Sequence, residues 1–393
     1  MAAAGTAATT SSSHLTSPSS LPLYSFGVPW PELNEGLLYT DVVRSSGRGL
    51  TTSLIEFYST KYKNSAPLQG WFQRIQNGQI TVNGEVVTDP MYMLRDGLQV
   101  VYHRLPWKEP SAPYLLEVLY EDNDMVALNK PSGLQVLPGG LFQQRTALMQ
   151  LQWKEWNFLA CNSSKRSKSQ ETHPVPVHRL GRGTSGILLC AKTKLAKSRL
   201  AAYFASGAIF AGDDRGEMEL GKPRNISKYY RALVGGIIKK DELVIRQPIG
   251  TINYPGVAKG LYVASSSGKP ALSRMQVLER DDQRNQTLVQ VEIHSGRPHQ
   301  IRIHLAFVGH PLVGDPLYDI GGQPKAFESE SIGDCFANDG GYQKPMQAVP
   351  GDCGYYLHAH KLFLDHPITN KRVEIVAPLP SILQTEAERH QNI

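Results

Sequence analysis

From Leu115 onward the chain is a succession of short apolar runs closed off by turn residues: LLEVLYED, MVALNKP, GILLCAKT, YYRALVGG, TLVQVEIH, YYLHAHKLFL and KRVEIVAP. Runs of this length, rich in Val, Ile, Leu and Tyr, read as strands rather than helices. Helical spacing intervenes around KLAKSRLAAYFASG and PHQIRIHLAFVG. Many strands with few scattered helices exclude a helical bundle and a regular strand-helix alternation. The expectation is therefore an α+β domain over residues 115–380, built on a mixed, largely antiparallel sheet. Residues 325–354, with Gly and acids but weak periodicity, read as a surface insertion within it, and 381–393 as a C-terminal tail.

The chain upstream has a different grammar. Residues 1–44 read as a disordered tail and an irregular lead-in. The first 20 positions are mostly Ala, Ser and Thr with no Arg or Lys, which suits disorder better than an Arg-rich transit peptide. A plastid or mitochondrial address is the minority alternative. Residues 45–104 form a compact unit in which SLIEFYSTKY and LQGWFQRIQNG have helical spacing, with Gly78 placed to end the second helix. QITVNGEVV folds back on itself at Asn83-Gly84, the strongest short-range hairpin signal. A generic helical cap on the larger domain would read the same way. The run RIQNGQITVNGEVV, with DGLQVVY after it, resembles the alpha-L RNA-binding motif of ribosomal small-subunit proteins and RNA-modifying enzymes. That resemblance implies a second helix whose exposed face, Arg74 included, contacts RNA phosphates. Residues 105–114, around LPWKEPSAP, read as a linker because Pro breaks both helix and ladder.

Composition excludes little but adds direction. The 393 residues are 41% hydrophobic and 19% charged, the balance of an ordinary soluble protein, and no apolar stretch approaches the roughly 20 residues needed to span a bilayer. The formal charge is +6 and the isoelectric point about 9.0, which suits a polyanionic partner without requiring one. Lys165, Arg166, Lys168, Arg179, Arg182, Lys192, Lys194, Lys197 and Arg199 crowd one region, which by itself reads as a solvated basic loop followed by a basic helix face rather than as a binding site. Cys161, Cys190, Cys335 and Cys353 lack metal-ligand spacing and read as reduced thiols of an intracellular protein.

Within that basic region stands HRLGRGTSG, His178 to Gly186. Gly181, Gly183 and Gly186 give the literal G-x-G-x-x-G of a dinucleotide-binding turn. That turn needs a helix N-terminus immediately after it and an acid about 20 residues on. The run directly after Gly186 is the strand-like ILLCA, and AAYFASGAIFAG holds no acid, so the glycines need another explanation.

LYEDNDMVALNKPSG, VPVHRLGRGTSGILLCAKT, KYYRALVGG and IHSGRPHQIRIHLAFVGHPLVGDPLY, with LHAHKLFLDHP near the end, succeed one another in the order and spacing of the RluA-type pseudouridine synthases. The chain resembles this family over most of its length. The resemblance implies the pseudouridine synthase fold, RNA as partner, and isomerisation of a flipped-out uridine in RNA without metal or organic cofactor. It also implies an aspartate at the fourth position of the H-R-L-D motif, acting as nucleophile or base; here that position is Gly181. Arg179 matches the arginine that helps displace the target nucleotide, although a surface ion pair would explain it too. Arg182 joins it as an RNA contact. Tyr230 matches the tyrosine that stacks on uracil, a core aromatic being the alternative.

Arg302 matches the arginine that pairs with the family carboxylate; otherwise it is a helix-surface cation. If it is buried, another partner must take the carboxylate's place. Asp315 is set aside for that role, because the family has an aspartate there besides the catalytic one, and Asp213 and Asp214 lie in a stretch that does not align. His299, His304 and His310 lack the i, i+4 spacing of helical metal ligands, so no metal is expected. Two readings remain: an RNA pseudouridine synthase active despite Gly181, or a catalytically silent RNA-binding protein retaining the synthase fold. A monomer serving tRNA or rRNA processing is the expectation in the first case.

Overall fold

The structure, a computed structural model, describes residues 23–25, 32–44, 51–63, 65–153, 170–209, 225–254, 257–325 and 353–391. The Ala/Ser/Thr tail, Lys165, Arg166, Lys168, Cys161, Cys335, Asp213, Asp214 and nearly all of the 325–354 insertion lie outside the described residues.

The N-terminal unit folds as its local signals dictate. Ser53 starts the first helix, Leu54–Lys61, by accepting the Glu56 amide on its side chain. The second helix, Leu68–Gln76, ends before Gly78, which takes the left-handed conformation at φ +72°. Asn83 and Gly84, both at positive φ, turn Ile80–Val82 into Glu85–Val86. Leu54, Trp71, Ile75, Ile80, Leu94 and Val100 close the core. The unit begins earlier than Ser45: Leu37–Val42 pairs antiparallel with Gln99–Arg104 and forms one edge of a four-stranded sheet. A second strand of the expected lead-in, Leu23–Ser25, adds to the edge of the large sheet beside Leu115–Glu121. No local pattern marks either, because each is defined by a partner far along the chain.

The larger domain is an α+β unit on an eleven-stranded mixed sheet. One half contains Leu115–Glu121, Met125–Lys130 and Ser185–Thr193; the other contains Leu357–Asp365, Ile226–Gly235, Gln286–Ile293, Ser273–Asp281 and Glu242–Ile245. Among the described residues its strand pairs are antiparallel save one. Ser185–Thr193 meets Leu357–Asp365 in parallel through only Ser185 opposite His358 and Gly186 opposite Ala359. At this seam Gly186 sits at φ +100°, and a Cβ there would lie 2.3 Å from the Ala359 carbonyl oxygen, so no side chain fits. Helices Lys194–Ile209 and Gln300–Phe307 are the two with helical spacing in the sequence.

The expected C-terminal tail is not free. Glu388, in the helix Glu386–Gln391, accepts from the two terminal guanidinium nitrogens of the buried Arg231, at 2.7 and 3.0 Å. No helix among the described residues is long and apolar enough to cross a membrane.

Candidate active site

HRLGRGTSG forms the loop after Pro176 and runs into the strand Ser185–Thr193, and the NKPSG turn holds it. Lys130 is fully buried, and its ammonium donates to the carbonyls of Pro131 and Leu134 at 2.8 Å and of Arg182 at 3.2 Å. Ser132 donates to the Gly183 carbonyl at 2.7 Å, and the Gly133 amide to the Arg182 carbonyl at 2.9 Å. Burial brings the Lys130 pKa down to about 7, so charge and desolvation are closely matched there. Sequence reasoning places NKPSG in the motif but does not single out Lys130. Its signal is a lysine closing an apolar strand immediately before a Pro-Ser-Gly turn.

The glycines of the loop clear space for Tyr355. A Cβ at Gly181 would stand 2.9 Å from the Tyr355 hydroxyl, and one at Gly183 would stand 2.8 Å from two ring carbons. Tyr355 is buried, and its hydroxyl lies 3.3 Å from that of Thr184, whose amide donates to the Gly181 carbonyl at 3.0 Å. The G-x-G-x-x-G spacing therefore comes from chain crossing: two glycines admit Tyr355, and the third admits Ala359 four residues later. A strand comes after the motif, as expected, and not a nucleotide-binding helix.

The Tyr355 ring also meets Arg302. The guanidinium carbon is 4.3 Å from the Tyr355 ring centroid and 4.9 Å from that of Tyr318. Arg302 is 2% exposed, which excludes a helix-surface cation. Its Nε and Nη2 donate to the two oxygens of Asp315, each at 2.7 Å. Asp315, set aside on the sequence, is thus the partner of Arg302, and this corrects that expectation. The correction comes from the turn after the helix, which returns the chain in 13 residues to face its own arginine. Asp315 also accepts the amides of Leu317 and Tyr318, at 2.9 and 3.1 Å. Burial alone would raise its pKa, but the Arg302 bonds and charge outweigh that and hold the carboxyl below its ordinary range. The third nitrogen of Arg302, Nη1, is buried without a hydrogen-bond partner.

Tyr230 lies on the Ile226–Gly235 strand, between Val291 and Ala359 of its neighbours. The ladder skips His360, so Tyr229 pairs with Lys361 and Tyr230 with Ala359. Such a bulge re-aims side chains, and Tyr229, Tyr230, Lys228, Phe204 and His178 share one recess. His178 stacks on Phe204 with centroids 4.5 Å apart, and its Nε2 accepts the Leu189 amide at 2.9 Å. Burial and the nearby Lys228 charge lower its pKa to about 3, so the imidazole is neutral. The Lys228 ammonium lies 5.4 Å from the Phe204 ring centroid. The recess thus joins the first residue of HRLGRGTSG to the KYYRA strand, while Tyr355 joins Gly181 to Arg302.

Among the remaining sequence candidates, Arg179 is exposed. Arg182 is half-buried with its guanidinium 5.0 Å from the Phe142 ring centroid. Arg74 does not lie on an exposed face. It is 3% exposed, wedged between the Trp71 and Tyr102 rings at 4.6 and 4.7 Å, so it braces the core of the N-terminal unit. Its place beside Ile75 puts it on the border of the helix's apolar stripe, and Tyr102 completes the enclosure.

His299 bonds the Tyr318 hydroxyl, His304 lies between Ser273 and the Gln247 carbonyl, and His310 bonds the Gly235 carbonyl. Asp122, Asp124 and His366 approach one another closely enough to suggest a cation site. Asp122, however, already accepts from Tyr120, His366 and the amides of Asp124 and Met125, the bonding of a structural turn.

Comparison with known proteins bears on this arrangement. Residues 124–307 match the family model for RNA pseudouridylate synthase. The chain is 67% identical over 369 residues to RNA pseudouridine synthase 5 of Oryza sativa subsp. japonica, covering 93% of each. It is 64% identical over 370 residues to RNA pseudouridine synthase 5 of Arabidopsis thaliana, covering 93% of this chain and 99% of that one. Identity to Ribosomal large subunit pseudouridine synthase D of Pseudomonas aeruginosa is 31% over 326 residues, covering 80% and 83%. With its mixed sheet and its motif order in agreement, the chain belongs to the RluA-type RNA pseudouridine synthases.

Proposed function

We propose that this chain receives a uridine turned out of RNA and isomerises it to pseudouridine. One observation carries the reading: a neutral imidazole, two tyrosines and a largely buried ammonium line one narrow recess where the HRLGRGTSG loop begins. To seat a base, this recess opens further. Eversion of the nucleotide costs a few kcal/mol. Stacking on the Tyr230 ring returns about 1–3 kcal/mol per base, and phosphate contacts at exposed cations such as Arg179 supply the rest. The bond between sugar C1′ and uracil N1 breaks with its electron pair leaving on uracil. The base rotates, C5 bonds to C1′, and the C5 proton is lost as N1 gains one. Gly181 offers no carboxylate to this step, and Asp315 is committed to Arg302 and two amides. In this reading the cationic surroundings of Lys228 stabilise the departing uracil anion. The N-terminal unit acts as an alpha-L module that adds RNA affinity.

The silent RNA-binding reading draws on a specific observation as well: burial raises the pKa of Tyr355, so the group beside Gly181 stays a neutral phenol and is no base. Incubation of the purified protein with a cellular RNA extract, and then nucleoside mass spectrometry, separates the two. New pseudouridine that disappears in Tyr230→Ala supports isomerisation. Salt-dependent RNA retention without product across varied RNAs establishes the silent protein instead.

A further inference from the structure

We infer that Tyr355 is a positioning residue of this site, lodged where a side chain at position 181 would project, so that Gly181, Gly183 and Tyr355 form one interlocked unit. The inference rests on the uridine-site reading above for its functional half only; the interlock stands on geometry. The contacts divide by atom. A Cβ at 181 would meet the Tyr355 oxygen, at 2.9 Å, and no ring carbon within 4 Å, whereas a Cβ at 183 would meet two ring carbons at 2.8 Å besides the oxygen at 3.0 Å. Both distances are shorter than nonbonded carbon contacts tolerate. The hydroxyl is tied to Thr184 inside the same loop, and the ring covers the Arg302 guanidinium, whose Nη1 is buried without a hydrogen-bond partner.

Where an acid at 181 would offer Arg302 a charge, the chain offers an aromatic face and a neutral hydroxyl. The ring also spaces the loop from the helix Gln300–Phe307. In this way it fixes the segment whose first residue, His178, lines the recess. An aspartate at 181 therefore requires the Tyr355 phenol to move, because its oxygen stands 2.9 Å from where the Cβ would lie.

The test is a pair of double-mutant cycles on the full chain, read by thermal and urea denaturation. Gly181→Ala should lower the melting temperature by several degrees in the Tyr355 background and by much less in Tyr355→Phe, which lacks the interfering oxygen. Gly183→Ala should stay nearly as damaging in Tyr355→Phe, because the two ring carbons it meets remain. Equal penalties for Gly181→Ala in the two backgrounds would overturn the interlock. If Gly181→Ala fails to fold alone, recovery of a cooperative transition in Gly181→Ala/Tyr355→Phe supports it, and failure to recover refutes it.

The functional half is read by product formation. Tyr355→Phe should lower kcat by roughly tenfold with little change in KM for RNA, because loop placement and not RNA affinity is altered. A rise in KM at constant kcat would assign Tyr355 to RNA binding and overturn the positioning role. Absence of pseudouridine in the unaltered protein would sink the isomerisation reading and the positioning role with it, while the denaturation cycles still decide the interlock.

Discussion

Among the described residues two arginines are clamped between pairs of aromatic rings, one in each folded unit, and they do different work. Arg74 lies between Trp71 and Tyr102, with the Ser65 hydroxyl at 3.5 Å from its Nη1. Arg302 lies between Tyr318 and Tyr355 and also holds a carboxylate in a bidentate grip. A ring face is a modest form of solvation for a cation, worth about 2 kcal/mol or more when desolvated. A committed carboxylate makes the second clamp stiffer, and removing either partner leaves a buried charge uncovered. Arg74 therefore consolidates a small core, whereas Arg302 ties a helix, the turn after it and the glycine loop into one block.

The comparison breaks most sharply at Asp315. Asp315→Asn should cost about 3–5 kcal/mol in urea denaturation at neutral pH, because the Arg302 charge stays buried with half its partner gone. Acid distinguishes the variant further. The Asp315 carboxyl titrates below its ordinary value of 3.8 in the folded chain, so its contribution is present in full above that value and drains away as pH falls through the folded pKa. Asp315→Asn should lose this part of the acid-unfolding limb. An unchanged limb would move the acid sensitivity elsewhere.

A smaller effect is expected at the other clamp. Arg74→Met should destabilise the protein by about 2 kcal/mol through lost ring contacts, with the slope of RNA affinity against salt unaltered. A reduced slope at unchanged stability would restore Arg74 to the RNA surface. The exposed Arg179 marks the lower end. Arg179→Ala should leave the melting temperature unchanged and reduce the salt slope by about one phosphate contact; no change in slope would remove it from the RNA path.

Both clamps show what a sequence can display. The helices at Leu54–Lys61 and Leu68–Gln76 and the Asn83-Gly84 hairpin are legible because their determinants are neighbours: a capping serine, a left-handed glycine, a two-residue turn. The motifs likewise place Tyr230, His178 and Arg302 in the right strand, loop and helix. Arg74 looks exposed from its own helix because Tyr102, which seals it, lies on a distant strand of the same unit. Gly181 and Gly183 look like an absence of chemistry, and the tyrosine that fills their place comes from a remote part of the chain. The role of Asp315 is hidden in the same way, since only the fold of the turn decides what it faces. The strands Leu23–Ser25 and Leu37–Val42 exist through pairing and carry no local mark.

Leu357–Asp365 is synthesised after Ser185–Thr193 and Ile226–Gly235, yet it lies between them in the middle of the large sheet. Until that segment leaves the ribosome, the two blocks of strands made earlier have no shared edge and must wait side by side with their inner borders open. Arrival of this one strand therefore closes the domain, and a ribosome stalled shortly before it would carry two unjoined sheets exposed to aggregation.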